Sequence, residues 1–161
     1  MNSMSQIMAA FAAFSILTLC GVCGTGTASV PSNLFQGTFT GTAIGDSDSS
    51  AKITLTLAQN GTSVVGTAAI GNGLKVNTGG FICPGLVSIP NGTIPVSGSA
   101  SAKNPSHLEA KSSLSGSGLT INGEVTADLS KDGKTMDISL NLGVPWPCHG
   151  TIINAKLARS Q

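Results

Sequence analysis

Tyrosine is missing from this sequence, tryptophan occurs once at Trp146, and aromatic residues make up only 4% of the 161 positions. So few aromatic faces leave no platform on which successive bases could stack. Charge is equally scarce: Asp, Glu, Lys and Arg together account for 9%, and the formal net charge is +1. No basic stripe is available to neutralise phosphates, and nucleic acid is excluded as a partner. Histidine occurs only as His107 and His149, which leaves few bases to activate a serine or cysteine nucleophile. Helical periodicity is also absent once the N-terminal apolar run is passed.

What the chain has instead is alternation. Residues 120–142 hold two runs of alternating apolar and polar side chains joined at Asp132-Gly133. That pair is favoured where a two-residue hairpin needs φ > 0 at both central positions. Residues 52–59 set Ile53, Leu55 and Leu57 on one face and Lys52, Thr54 and Thr56 on the other, and Asn60-Gly61 then turns the chain into residues 63–70. Further alternating runs are read at 34–43, 93–103, 107–114, 119–129, 136–142 and 149–158, with 71–91, rich in Gly and Pro, left mainly as loop. The regular Ile, Leu and Val argue against disorder despite 21 glycines.

Eight short strands with frequent tight turns predict an all-β fold, either a β-sandwich or an eight-stranded antiparallel meander closed into an up-and-down barrel. The meander is the expected form, because closure removes unpaired edges. Inward Ile, Leu and Val are diluted by Ala, Gly and Ser, which suits a narrow filled barrel or one with room for a ligand.

The apolar run at 7–19 is uncharged and shorter than the roughly 20 residues a membrane-spanning helix needs, which suits the core of a signal peptide. Gly26-Thr27-Ala28 supplies small residues for cleavage, so residues 1–28 are expected to be signal and tether and 29–161 a single barrel domain. Leu17-Thr18-Leu19-Cys20 and Cys20-Gly21-Val22-Cys23 each resemble a bacterial lipobox, although Leu19 and Val22 stand where a small residue is usual. The resemblance makes Cys20 and Cys23 lipidation candidates. An anchored product would sit in the periplasm or at the outer membrane, a cleaved one would be secreted.

Export leaves Cys83 and Cys148 in the mature body, where a disulfide is the simplest pairing. Closing so long a loop contributes about 4 kcal/mol in the chain-entropy model. The rival, a metal site using both thiols and His149, lacks paired Cys-x-x-Cys spacing. Glu124 and Asp128 share a strand face, but Lys131 and Lys134 nearby suit solvated surface. Asp46 and Asp48 lack the dense acidic spacing of a calcium loop. His107 follows a turn and reads as a loop histidine. Trp146, between Pro145 and Pro147, is expected at a barrel rim, either as a plug or as a cover for a ligand, and with Phe39 and Phe81 it forms the candidate ligand-binding set.

Gly37-Thr38-Phe39 on the first strand, with Arg159 after the last, resembles the lipocalin and avidin pattern, in which a strand-one aromatic packs beneath a basic residue near the barrel's end; here Phe39 replaces the usual Trp. Over 34–159 the chain is similar to small Gly/Thr-rich exported or lipid-anchored bacterial proteins. The resemblance implies an envelope barrel and brings no catalytic residues. The functional expectation is a non-enzymatic, cofactor-free, monomeric exported barrel binding a small apolar ligand in or at its mouth. The alternative is an interaction module presenting loops such as 71–91 to a protein or glycan; a hydrolase using His149 is a third reading.

Overall fold

The computed structural model describes residues 33–160 apart from 80, 81, 84, 117, 118 and 145, so Cys20, Cys23 and Phe81 lie outside the described residues. In chain order the strands are β1 (Gly37–Ile44), β2 (Ser50–Asn60), β3 (Ser63–Ile70), β4 (Lys75–Asn77), β5 (Leu86–Ser88), β6 (Gly92–Ala100), β7 (His107–Gly116), β8 (Leu119–Leu129), β9 (Thr135–Gly143) and β10 (Thr151–Arg159). Eight of them pair antiparallel in the order β1-β10-β9-β8-β7-β6-β3-β2, and β1 also pairs with β2. The ribbon therefore meets its own start, and the meander is a closed barrel rather than a sandwich.

Alternation places one face of every strand inside. On β2, Leu55 and Leu57 are buried while Thr56 and Ala58 are exposed. Leu108 and Ala110 of β7, Met136 of β9 and Leu157 of β10 meet them in one interior cluster. The tight closure demands glycine where a neighbouring strand's backbone crowds the position of a Cβ. A Cβ on Gly41 would stand 2.1 Å from the Lys156 carbonyl oxygen, and one on Gly66 2.0 Å from that of Thr56. Neither position has room for any side chain.

The two ends of the barrel are finished differently. At the closed end Phe35 and Phe39 are fully buried, and the Arg159 guanidinium lies 4.4 Å from the Phe39 ring centroid. Arg159 donates from Nε to the Gly133 carbonyl at 2.7 Å, from Nη2 to that of Leu34 at 2.6 Å, and from Nη1 to that of Gln36. This one cation satisfies carbonyls from two loops while covering an aromatic face. The strand-one aromatic beneath a basic residue, expected from the resemblance, is present.

At the opposite end the described residues of 71–91 include two short strands that its glycines and prolines did not suggest. β4 and β5 pair through Lys75–Ser88, Val76–Val87 and Asn77–Leu86 to form a small ribbon. Leu74, Val76 and Ile89 are buried, so this ribbon is a cap over the barrel. Three-residue strands leave too short an alternation to be read from sequence. Cys83 and Cys148 are disulfide-bonded with Cα atoms 5.6 Å apart, which ties the cap to the β9–β10 loop as expected.

The β8–β9 turn also departs from expectation. Gly133 has φ +70°, yet Asp132 is not in the left-handed region, and the last ladder pair is Leu129 with Met136. The turn is therefore longer than two residues. Asp132 holds it by side chain: its Oδ1 accepts from the Ser130 hydroxyl at 2.6 Å and the Lys134 N–H at 3.0 Å. These bonds, that of Ser130 foremost, hold its carboxyl below the ordinary aspartate range.

Candidate functional site: an apolar hollow beneath the cap

Directly under the cap the barrel interior contains a hollow of about 50 Å³, with a second lobe of about 20 Å³ beside it. Both lobes are bounded by Ile53, Ile70, Ile94, Ser112, Leu140 and Ile153, so they are parts of one space. The smaller lobe is roofed by Leu74 and Ile89 of the cap. The larger extends down the barrel past Ala68 and Ala155, whose short side chains leave the space unfilled. Among the described residues Ser112 is the only polar one on the lining of either lobe. It faces inward because it continues the Leu108, Ala110 row of β7, an i, i+2 signal that was available in the sequence but was not singled out. An apolar lining with so little to hydrogen-bond would hold no water, and guests suited to it are themselves apolar.

Access is restricted to one end. The closed end is sealed by Phe35, Phe39, Met136 and Leu157, all fully buried, beneath the Arg159 bonds. The cap is held by several independent ties. Asp46 Oδ2 accepts the Asn77 N–H at 2.6 Å and the Thr151 hydroxyl at 3.3 Å. The His149 N–H donates to the Thr78 carbonyl at 2.7 Å, and the Thr78 N–H to that of Gly85 at 2.8 Å. The Ser49 hydroxyl both donates to the Lys75 carbonyl and accepts the Lys75 N–H. Asp46 thus spends its carboxylate on fastening the cap, which explains its place without calcium.

Of the expected ligand-binding aromatics, Phe39 and Trp146 lie at opposite ends of the barrel, and Phe81 lies outside the described residues. Phe39 belongs to the floor of the closed end and does not line the hollow. Trp146 is 91% exposed, which corrects the expectation of a plug: the cap's aliphatic side chains close this end, and the disulfide at Cys148 leaves Trp146 outside them. The disulfide also consumes both thiols of the proposed metal set, so Cys83, Cys148 and His149 form no ligand group. Elsewhere, His107 Nδ1 lies 2.7 Å from Asp128 Oδ1, and its Nε2 lies 3.8 Å from the Glu109 carboxylate, on the outer surface near the closed end. Glu124 sits on the outer face of β8 opposite Lys111, away from any enclosed cleft. Larger depressions of about 500 and 420 Å³ run along the outside of β6, β7 and β8, but they are open to solvent.

No protein-family model and no curated protein matches the sequence. Among solved structures the chain is similar to EF1p2_mFAP2b bound to DFHBI, with a TM-score of 0.52 and 11% identity over 79% of this chain and 94% of that one. At that identity the likeness is one of fold, and it supports the closed barrel.

Proposed function

We propose that this chain is an exported, non-enzymatic β-barrel that binds a small apolar ligand beneath its cap. The hollow carries the reading: among the described residues its lining is apolar apart from Ser112, and it lies away from the end sealed by Phe35 and Phe39. The Cys83–Cys148 disulfide fits a non-reducing compartment, and with the apolar run at 7–19 it supports export of a mature domain from residue 29, free or anchored through Cys20 or Cys23. The similar barrel EF1p2_mFAP2b, solved with DFHBI bound, is a precedent for ligand binding in this architecture.

Size sets the ligand class. Small-molecule sites usually span about 300–1,000 Å³, well above the closed hollow. In the closed form the guest has only a few heavy atoms. Anything larger is admitted only when Leu74 and Ile89 swing out and the interior side chains repack. Titration with N-phenyl-1-naphthylamine tests this: saturable fluorescence enhancement is expected, and Leu140→Ala, which widens the hollow, is expected to tighten binding. Absence of saturable binding by both proteins would show that the cap does not open to larger guests, and absence of xenon binding as well would make the barrel a filled structural one.

A further inference from the structure

Among the described residues six large apolar side chains are exposed: Ile44, Val65, Ile82, Leu86, Trp146 and Ile152. Five of them are at the capped end. Ile44 is the last residue of β1 and pairs with Asn154, so Ile152, two residues back along β10 on the same outer face, is its diagonal neighbour. Ile82 precedes Cys83 and Trp146 lies two residues before Cys148, so the disulfide gathers them at one knot, and Leu86 opens the adjoining β5. Val65 alone lies toward the closed end, paired with Ala58 and Ser97.

We infer that this apolar rim docks the capped end onto a phospholipid bilayer, from which the hollow takes its guest. The inference rests on the ligand-binding reading above. An apolar guest small enough for the hollow resides in lipid rather than water, and its way in is through the end that carries the rim. The charge pattern agrees. Lys75 is the only charged residue between positions 71 and 91, and His149 is the only titratable side chain between 143 and 152. The adjoining β1–β2 loop carries two carboxylates, Asp46, which accepts hydrogen bonds from Asn77 and Thr151, and the exposed Asp48, so this sparsely charged end suits a zwitterionic headgroup surface rather than an anionic one. An exposed tryptophan beside aliphatic residues is the composition that settles at a membrane–water interface. With Ile82 74% and Trp146 91% exposed, these side chains are free to enter it.

Trp146 is the sequence's single tryptophan and there is no tyrosine, so intrinsic fluorescence reports this rim alone. The full chain is mixed with unilamellar phosphatidylcholine vesicles, with and without dibrominated acyl chains. Emission is expected to move to shorter wavelength and to be quenched by the brominated lipid. Ile82→Ser with Ile152→Ser, which leaves Trp146 in place, is expected to lower partitioning about tenfold or more, while Val65→Ser at the far end leaves it unchanged. Sedimentation with vesicles but no spectral shift would mean that the N-terminal run binds instead, and would overturn the inference. So would a shift that grows with protein concentration in the absence of vesicles, which would identify a second copy as the occupant. Naphthylamine binding in vesicle-free buffer is read separately: if it persists while vesicle docking fails, only the docking is refuted.

Discussion

Replacing both Cys83 and Cys148 by serine should separate the stability of the cap from that of the barrel. The bridge closes a loop of 65 residues, and in the chain-entropy model its removal costs about 4 kcal/mol. For a domain of this size each kcal/mol moves the melting temperature by roughly 3–5 °C, so a fall of about 12–20 °C is expected. The bridge sulfurs belong to none of the eight barrel strands, and the cap keeps its bonds to Asp46, Ser49 and His149. The far-UV circular dichroism of the variant at 20 °C should therefore match the parent. Amide exchange should quicken first in Lys75–Asn77 and Leu86–Ser88, where opening no longer has to break a covalent tie. Thermal melts followed by circular dichroism, with hydrogen exchange read by mass spectrometry, supply both observations. A melting shift of less than about 3 °C, or a variant without strand signal at 20 °C, would refute the reasoning, the first by showing no constraint and the second by showing that the barrel needs the bridge to form.

The closed end offers a second test. Arg159→Met should lose about 2–4 kcal/mol by orphaning the Leu34, Gln36 and Gly133 carbonyls and uncovering Phe39, and Arg159→Lys should restore only part of it in denaturant titration, since an ammonium lacks the planar fork. Gly66→Ala should leave little soluble protein, or cost about 3 kcal/mol or more, because its Cβ would stand 2.0 Å from the Thr56 carbonyl oxygen; wild-type stability would show that β2 and β3 do not approach so closely there. Asp132 has a folded-state pKa below its unfolded value, so its stabilising effect is complete above the ordinary aspartate value and is lost as pH falls through the folded one. The stability gap between parent and Asp132→Ala should therefore narrow on acidification below about pH 4, and a gap unchanged at pH 2 would contradict the assigned bonds.

Much of this architecture was legible because a barrel strand writes its geometry into the sequence. Ile53, Leu55 and Leu57 alternate with Lys52, Thr54 and Thr56 because one face of β2 is inside, and Asn60-Gly61 marks where it turns. The pairing of Cys83 with Cys148 and the stacking of Arg159 on Phe39 could be read because few residues of those types were available. The cap was not legible. Its strands are three residues long, and its buried Leu74, Val76 and Ile89 are spread through a segment whose glycines and prolines describe turns rather than packing. For the same reason the sequence placed Trp146 at a rim but could not say whether it turned inward: it stands beside the disulfide, and aliphatic side chains of the cap take the interior there. The hollow arises from what is small, Ala68 and Ala155, and the space left by short side chains is a property of the closed ribbon rather than of any one run.

The most direct test of the central claim is diffraction from crystals of the protein under xenon pressure, since an apolar cavity that stays dry admits this atom. A single dominant xenon peak bordered by Ile53, Ile94, Leu140 and Ile153 is the predicted result. Ordered water in that space, or xenon bound only on the outer grooves of β6, β7 and β8, would contradict the account.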